Sequence, residues 1–253
     1  MARMLGHRVL FIGDLHGLTE WRELVLDGLK SFHEVVFLGD YIDSFHVRPV
    51  VQLENLKALI SFVRKKAKGK ATLLLGNHDY AVIHSYSGIS GYQHQHAHEY
   101  RKIFQDNIDL FQIAWGYINS ITKKYTIATH AGLTKSYYYK YILPLMEDKT
   151  NFLYQIIKDN KNISIHETLN FLKDKKDLLW KVGSMRGGAG TPGPLWADYQ
   201  ELIEDPYPGI NQVFGHTPKV SITIDHIGNE FYACVDSWRN KKIASLILSL
   251  SNI

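Results

Sequence analysis

Five short stretches of the chain set metal-ligand residue types directly after apolar runs. Gly13-Asp14-Leu15-His16, Gly39-Asp40-Tyr41-Ile42-Asp43 and Gly76-Asn77-His78-Asp79 follow RVLFI, EVVFL and ATLLL. His130 closes TIATH, and His216 follows Gly215 in QVFGHTP. Glycine lets the chain turn sharply and approach other backbone closely, so the next side chain projects over the rim of the sheet those runs would build. Carried on neighbouring strands, these residues aim at a common point. Asp14, Asp40 and Asp43 crowded there without a counter-charge would repel one another and raise some of their pKa values. A pair of divalent metal ions removes that problem. Aspartate, histidine and a side-chain amide form a mixed oxygen and nitrogen donor set, suited to Mn, Fe or Zn rather than to Ca or a thiolate site. Two-metal centres use ions roughly 3.5–4 Å apart and make hydroxide available near neutral pH.

The elements needed to position such a site are visible in the hydrophobic pattern. The three β-rich runs alternate with helical patterns: residues 19–30 carry Trp21, Leu24, Val25 and Leu29 on one face with Thr19 as N-cap, and Pro49 opens a helix with Leu53, Leu56, Ile60 and Val63 inward. Strand-helix-strand repetition predicts a parallel sheet with right-handed crossovers and a ligand site beyond the carboxyl ends of its strands. IAWGYINSI and KYTIATH read as two more strands. Residues 135–181 have helical spacing and read as an inserted helical cap, the Gly/Pro-rich stretch 184–194 as loop, and strands return near 213–215, 220–225, 230–236 and 243–249.

Bulk properties agree with one α/β domain over 1–253: 253 residues with 45% apolar content are enough for one large core. Lys and Arg exceed Asp and Glu only as 29 to 25, a weak pull towards nucleic acid, which is therefore not expected as a partner. One cysteine, Cys234, offers no disulfide framework and fits a reducing, cytoplasmic setting. No apolar run is long enough to cross a bilayer, and VLFI is too short for a signal sequence, so no membrane is expected.

GDLHG, GDYID, GNHD, THAG and FGHT, in that order, resemble the metallophosphoesterase (calcineurin-like) superfamily, nearest the branch of serine/threonine phosphoprotein phosphatases and symmetrical dinucleoside tetraphosphatases. Any one motif is weak; five in order from residue 13 to residue 217 are specific. The resemblance implies a four-layer α/β/β/α sandwich of sheets flanked by helices, with a dinuclear site at its edge. It further implies that Asp14 and His16 bind a first metal, Asp40 bridges, and Asn77, His130 and His216 bind a second, Mn being the first expectation and Fe or Zn the others. His78 would be the general acid at the leaving oxygen, oriented and kept cationic by Asp43, and hydroxide would attack phosphorus in line. An imidazole free of metal can cycle a proton near neutrality, which fits that role.

The match departs from the branch at its phosphate clamp. Ser44 stands where an Arg usually follows GDxxD, and no Arg occurs from Gly187 to Trp238, so Arg186 and Arg48 are the candidates for substrate binding. Asp79 is expected to cap a helix or brace the site, His94, His96 and His98 to be solvated, and Tyr137 to Tyr139 with Tyr141 to pack the cap onto the body. The reading is a metal-dependent phosphatase of phosphomonoesters, carried by protein or small molecule. A hydrolase of dinucleoside polyphosphates or nucleotides, and a non-catalytic metal-binding interaction module on the same fold, stay open. Keeping both Asp43 and His78, which folding alone does not require, argues against the last.

Overall fold

The computed structural model describes residues 7–28, 31–150, 154–155, 163–237 and 243–250. Its first half runs β1 (Arg8–Ile12), α1 (Trp21–Gly28), β2 (Glu34–Phe37), α2 (Pro49–Lys65), β3 (Ala71–Leu74), α3 (Asn77–His84) and α4 (Ala97–Asp106). The second half supplies β4 (Phe111–Gln112), β5 (Ala114–Ile118), β6 (Tyr125–Thr129), β7 (Ile210–Phe214), β8 (Thr223–Ile227), β9 (Glu230–Cys234) and β10 (Ser245–Ser249). Two sheets form, ordered β10-β1-β2-β3-β4 and β5-β6-β7-β9-β8. In the first, β1 to β4 are parallel and β10 joins antiparallel. In the second, β6, β7 and β9 are parallel, with β5 and β8 antiparallel at the edges.

The unbroken apolar character of RVLFI follows from burial on both faces. Val9 and Phe11 point between the sheets, where they meet Trp115, Ala128, Val213 and Phe231. Phe11 and Trp115 meet edge to face, with ring centroids 5.5 Å apart. Leu10 and Ile12 point the other way, into a core with Trp21 and Val25 of α1 and Leu56 and Leu59 of α2. Helix Tyr199–Glu204 covers the outer face of the second sheet, packing Leu202 against Phe214 and Tyr232. The expected sandwich of two sheets between helical layers is therefore the observed fold.

Differences from the sequence reading lie at element ends and in one helix. Helix α1 begins at Trp21 rather than Thr19, whose carbonyl instead accepts from Arg22 N at 3.1 Å in a preceding turn; Leu29 lies outside the described residues. Pro49 opens α2 as expected. In the histidine-rich stretch His94–His96 form a 3₁₀ turn, and His98 lies in α4, which buries Ala97, Tyr100 and Phe104. That stripe is spaced for a helix but masked by polar neighbours. Within 135–181 the helical runs Lys135–Tyr137, Tyr138–Ile142, Leu143–Glu147, Ile165–Phe171 and Lys176–Leu179 appear. Tyr137, Ile142, Leu169 and Leu179 from these runs share the core of α2 and β3. Residues 151–153 and 156–162 of that segment lie outside the described residues. Among the described residues, no helix is long and apolar enough to cross a membrane.

Candidate metal centre

Strand ends from both sheets build one rim. Asp14 and His16 follow β1, Asp40 and Asp43 follow β2, and Asn77 and His78 open α3 after β3; from the second sheet, His130 follows β6 and His216 follows β7. The loops are laced together by backbone: Leu15 N and His16 N donate to the Asp40 carbonyl at 3.1 and 2.7 Å, and Gly215 N donates to the His130 carbonyl at 2.7 Å. Two bonds tie the sheets across the rim, His130 Nδ1 to the Leu38 carbonyl at 2.7 Å and His216 N to Asp14 Oδ1 at 3.2 Å.

This convergence explains two of the motif glycines and a cost. A Cβ on Gly76 would collide with the Asp40 carboxylate, and one on Gly215 with the Asp14 carboxylate. His16, Asp40, Asp43 and His216 hold φ of 40°, 51°, 63° and 66°. Non-glycine residues in this region cost roughly 1–3 kcal/mol each and persist where surrounding structure over-determines them. Four such residues at one rim mark it as a site held against local preference.

The donors form two groups that share Asp40. One is Asp14, His16 and Asp40; the other is Asp40, His130 and His216, with the ligand atoms of each group within 4.8 Å of one another. Asn77 Oδ1 joins the second group, 2.9 Å from His130 Nε2. His16 and His130 each direct Nδ1 at a backbone carbonyl, Ile42 at 2.8 Å and Leu38 at 2.7 Å. A carbonyl only accepts, so Nδ1 carries the proton and Nε2 of each neutral ring presents a bare lone pair. Those lone pairs face other acceptors: His16 Nε2 lies 3.7 Å from Asp40 Oδ2, and His130 Nε2 lies 3.5 Å from Asp40 Oδ2 and 2.9 Å from Asn77 Oδ1. Acceptors packed on acceptors, all buried except His16, are the arrangement a divalent cation satisfies. Burial, reinforced for His216 by His130 and Arg186, pulls the His130 and His216 pKa values down and keeps the rings neutral, the form that binds metal. Burial, Asp236 and Asp40 together push the Asp14 carboxyl up, a shift that a bound cation would reverse.

The His78 ring belongs to neither donor group, although its backbone N donates to Asp40 Oδ1 at 3.0 Å. Its Nδ1 pairs with Asp43 Oδ2 at 3.1 Å, while Asp43 Oδ1 accepts from Gln93 N at 3.2 Å. In the metal-free chain, burial pulls the His78 imidazole down, but Asp40 and the Asp43 bond outweigh it and lift the pKa to about 9. Both residues line a cleft of about 700 Å³ together with Asp14, His16, Asp40 and Asn77.

A family model described as calcineurin-like phosphoesterase matches residues 7–229. The chain belongs to that family. Its fold is similar to the cold-active protein-tyrosine phosphatase of a psychrophilic Shewanella species, at 17% identity and a TM-score of 0.56, over 97% of this chain and 76% of that one. A second structure of a cold-active protein tyrosine phosphatase matches at 18% identity and a TM-score of 0.56, over 96% of this chain and 74% of that one. A structure described as a putative diadenosine tetraphosphatase gives 13% identity and a TM-score of 0.47, covering 99% of this chain and 93% of that one. No curated protein sequence matches the chain.

Around the centre of this phosphoesterase, Asp79 braces rather than ligates. Its carboxylate accepts from the backbone N–H of Asp40 at 2.8 Å, Tyr41 at 2.9 Å and Gly76 at 2.9 Å, fastening the second motif to the third. Arg186 lines the cleft, with Nη2 on Asp198 at 3.0 Å and on Thr217 Oγ1 at 3.0 Å. Arg48 is exposed at the start of α2 and is not among the residues lining the cleft. His94, His96 and His98 form no metal group among the described residues, and Tyr137 and Tyr138 are buried in the core. Sequence reasoning missed Asp236, which lines the cleft just beyond β9; burial and Asp40, against the pull of Arg186, push its pKa up to about 7. Its signal was the strand-end position, hidden because Val235 and not glycine precedes it.

Asp79→Asn removes one charged acceptor from three backbone donors. We expect affinity for Mn²⁺, measured by titration calorimetry on the folded protein, to fall about 10–100-fold; unchanged affinity would show that the two loops hold their shape without this carboxylate.

Proposed function

We propose that this phosphoesterase hydrolyses phosphomonoesters, with two divalent transition-metal ions held by Asp14, His16, Asp40, Asn77, His130 and His216. The observation that carries the reading is the Asp40 carboxylate shared by two donor groups, beside an independent His78–Asp43 pair. The oxygen and nitrogen donors suit Mn first, with Fe or Zn as alternatives. When bound, such ions supply Lewis acidity and a nucleophile drawn from water.

The chain's own groups do the rest. Asp43 fixes the His78 proton on Nδ1 when the ring is neutral and favours the imidazolium, so Nε2 is the atom that can give a proton to the leaving oxygen. Arg186 grips phosphate. Its Nη2 is anchored on Asp198 and Thr217, which fixes the guanidinium at the wall of the cleft. Arg48, exposed and next in the chain to the cleft-lining Val47, does not itself line the cleft. The fold likeness to a protein-tyrosine phosphatase is in keeping with a monoester substrate. The single buried thiol of Cys234 suits a reducing, cytoplasmic location.

Mn-loaded protein is expected to turn over p-nitrophenyl phosphate faster than bis(p-nitrophenyl) phosphate or diadenosine tetraphosphate, and to lose that turnover on chelation. Preference for the diester or for the dinucleoside polyphosphate would overturn the monoester reading, and no turnover of any would leave a binding module. His78→Asn should cost about 10²-fold or more in kcat on alkyl phosphates and far less on p-nitrophenyl phosphate, whose leaving group needs little protonation. Equal losses on both would remove His78 as the acid. Arg186→Ala should raise KM for monoesters about tenfold or more, as expected for a lost charge-assisted bond. A KM that stays put assigns phosphate binding elsewhere.

A further inference from the structure

Phe45 is 73% exposed, yet it lines the same cleft as His78 and the metal-ligand residues. Single exposed apolar side chains are common and need no explanation. This one differs in three ways. Its backbone is pinned on both sides: Ser44 N donates to Gln52 Oε1 at 3.1 Å, and Gln52 Nε2 donates to the Val47 carbonyl at 2.6 Å. Gln52 itself is fully buried, so the loop is fastened to α2 from beneath. Its ring seats against backbone, because a Cβ on Gly91 would lie 3.2 Å from a Phe45 ring carbon. It also has company, since Leu18, Val47 and Ile89 line the cleft with it.

The position of this wall decides what it could touch. Phe45 follows Asp43 by two residues, which limits their Cα separation to about 7.6 Å. Asp43 holds His78, the proposed donor to the leaving oxygen, while Arg186 is fixed by Asp198 and Thr217. Gln93 ties the walls together, donating from N to Asp43 and from Nε2 to the Ser44 carbonyl at 3.3 Å. An exposed ring on a pinned loop, close in the chain to the partner of the proton donor, is suited to a flat apolar group on the leaving oxygen, because the loop itself needs little ordering on binding.

We infer that Phe45, with Leu18, Val47 and Ile89, forms a leaving-group subsite for a planar aromatic ring, making aryl phosphates the favoured class of monoester. The inference rests on the monoester reading above. Its test is binding of two non-hydrolysable probes, phenylphosphonate and methylphosphonate, to Mn-loaded protein by calorimetry. The phenyl probe should bind about tenfold more tightly. Phe45→Ala should bring the two affinities within about twofold of each other, and Phe45→Trp should keep the preference. No phenyl preference in the parent protein, or a preference untouched by Phe45→Ala, overturns the subsite. Turnover of p-nitrophenyl phosphate is measured alongside: if it persists while the phenyl preference is missing, the subsite alone fails, and if it is absent, the monoester reading fails first.

Discussion

Buried acceptors facing one another are the constraint on which this molecule is built. Asp14, Asp40, His130 and His216 are each less than a tenth exposed, and Nε2 of His16 and of His130 lies 3.7 and 3.5 Å from Asp40 Oδ2. Among the described residues lining the cleft, Arg186 is the one permanent cation, and Asp198 already engages it. Uncompensated, such a cluster opposes folding. Divalent cations turn the same contacts into bonds, and ligand binding confined to the native state adds to stability by mass action. The sandwich must therefore be stable enough to carry an unfavourable rim, which it achieves with apolar strands buried on both faces.

Rigidity at the rim comes from bonds that do not touch any ion. Asp79 gathers three backbone N–H groups, His130 reaches across to the Leu38 carbonyl, and Gln52 and Gln93 secure the loop that carries Asp43. Two of these contacts hold Asp40 and Asp43, which sit at positive φ. The donor set is thus shaped before anything binds, which limits the reorganisation that chemistry would otherwise need.

Much of this was legible in the sequence because strand ends leave a local signature. An apolar run, a glycine and then a polar ligand type identified Asp14, Asp40, Asn77 and His216, and the structure gathers them with His16 and His130. The parallel arrangement of β1 to β3 also followed from strand and helix periodicity. Other features depend on contacts between distant segments, which periodicity cannot show. Asp236 lacks the preceding glycine. The exposure of Phe45 depends on Gln52 and Gly91, neither of which stands out in a one-dimensional reading. Helix α4 was hidden because Ala97, Tyr100 and Phe104 are spread among histidines and charges. Arg48 and Arg186 were indistinguishable by residue type, and only the fold separates the exposed one from the one that faces the cleft.

The shared position of Asp40 has a consequence for how the protein matures. Its partners in one donor group, Asp14 and His16, are synthesised before it, whereas those in the other, His130 and His216, arrive much later and from the opposite sheet. A chain emerging from the ribosome with its first two strands already carries one complete triplet. The other stays unfinished until β7 has docked, so its geometry exists only once the sandwich has closed.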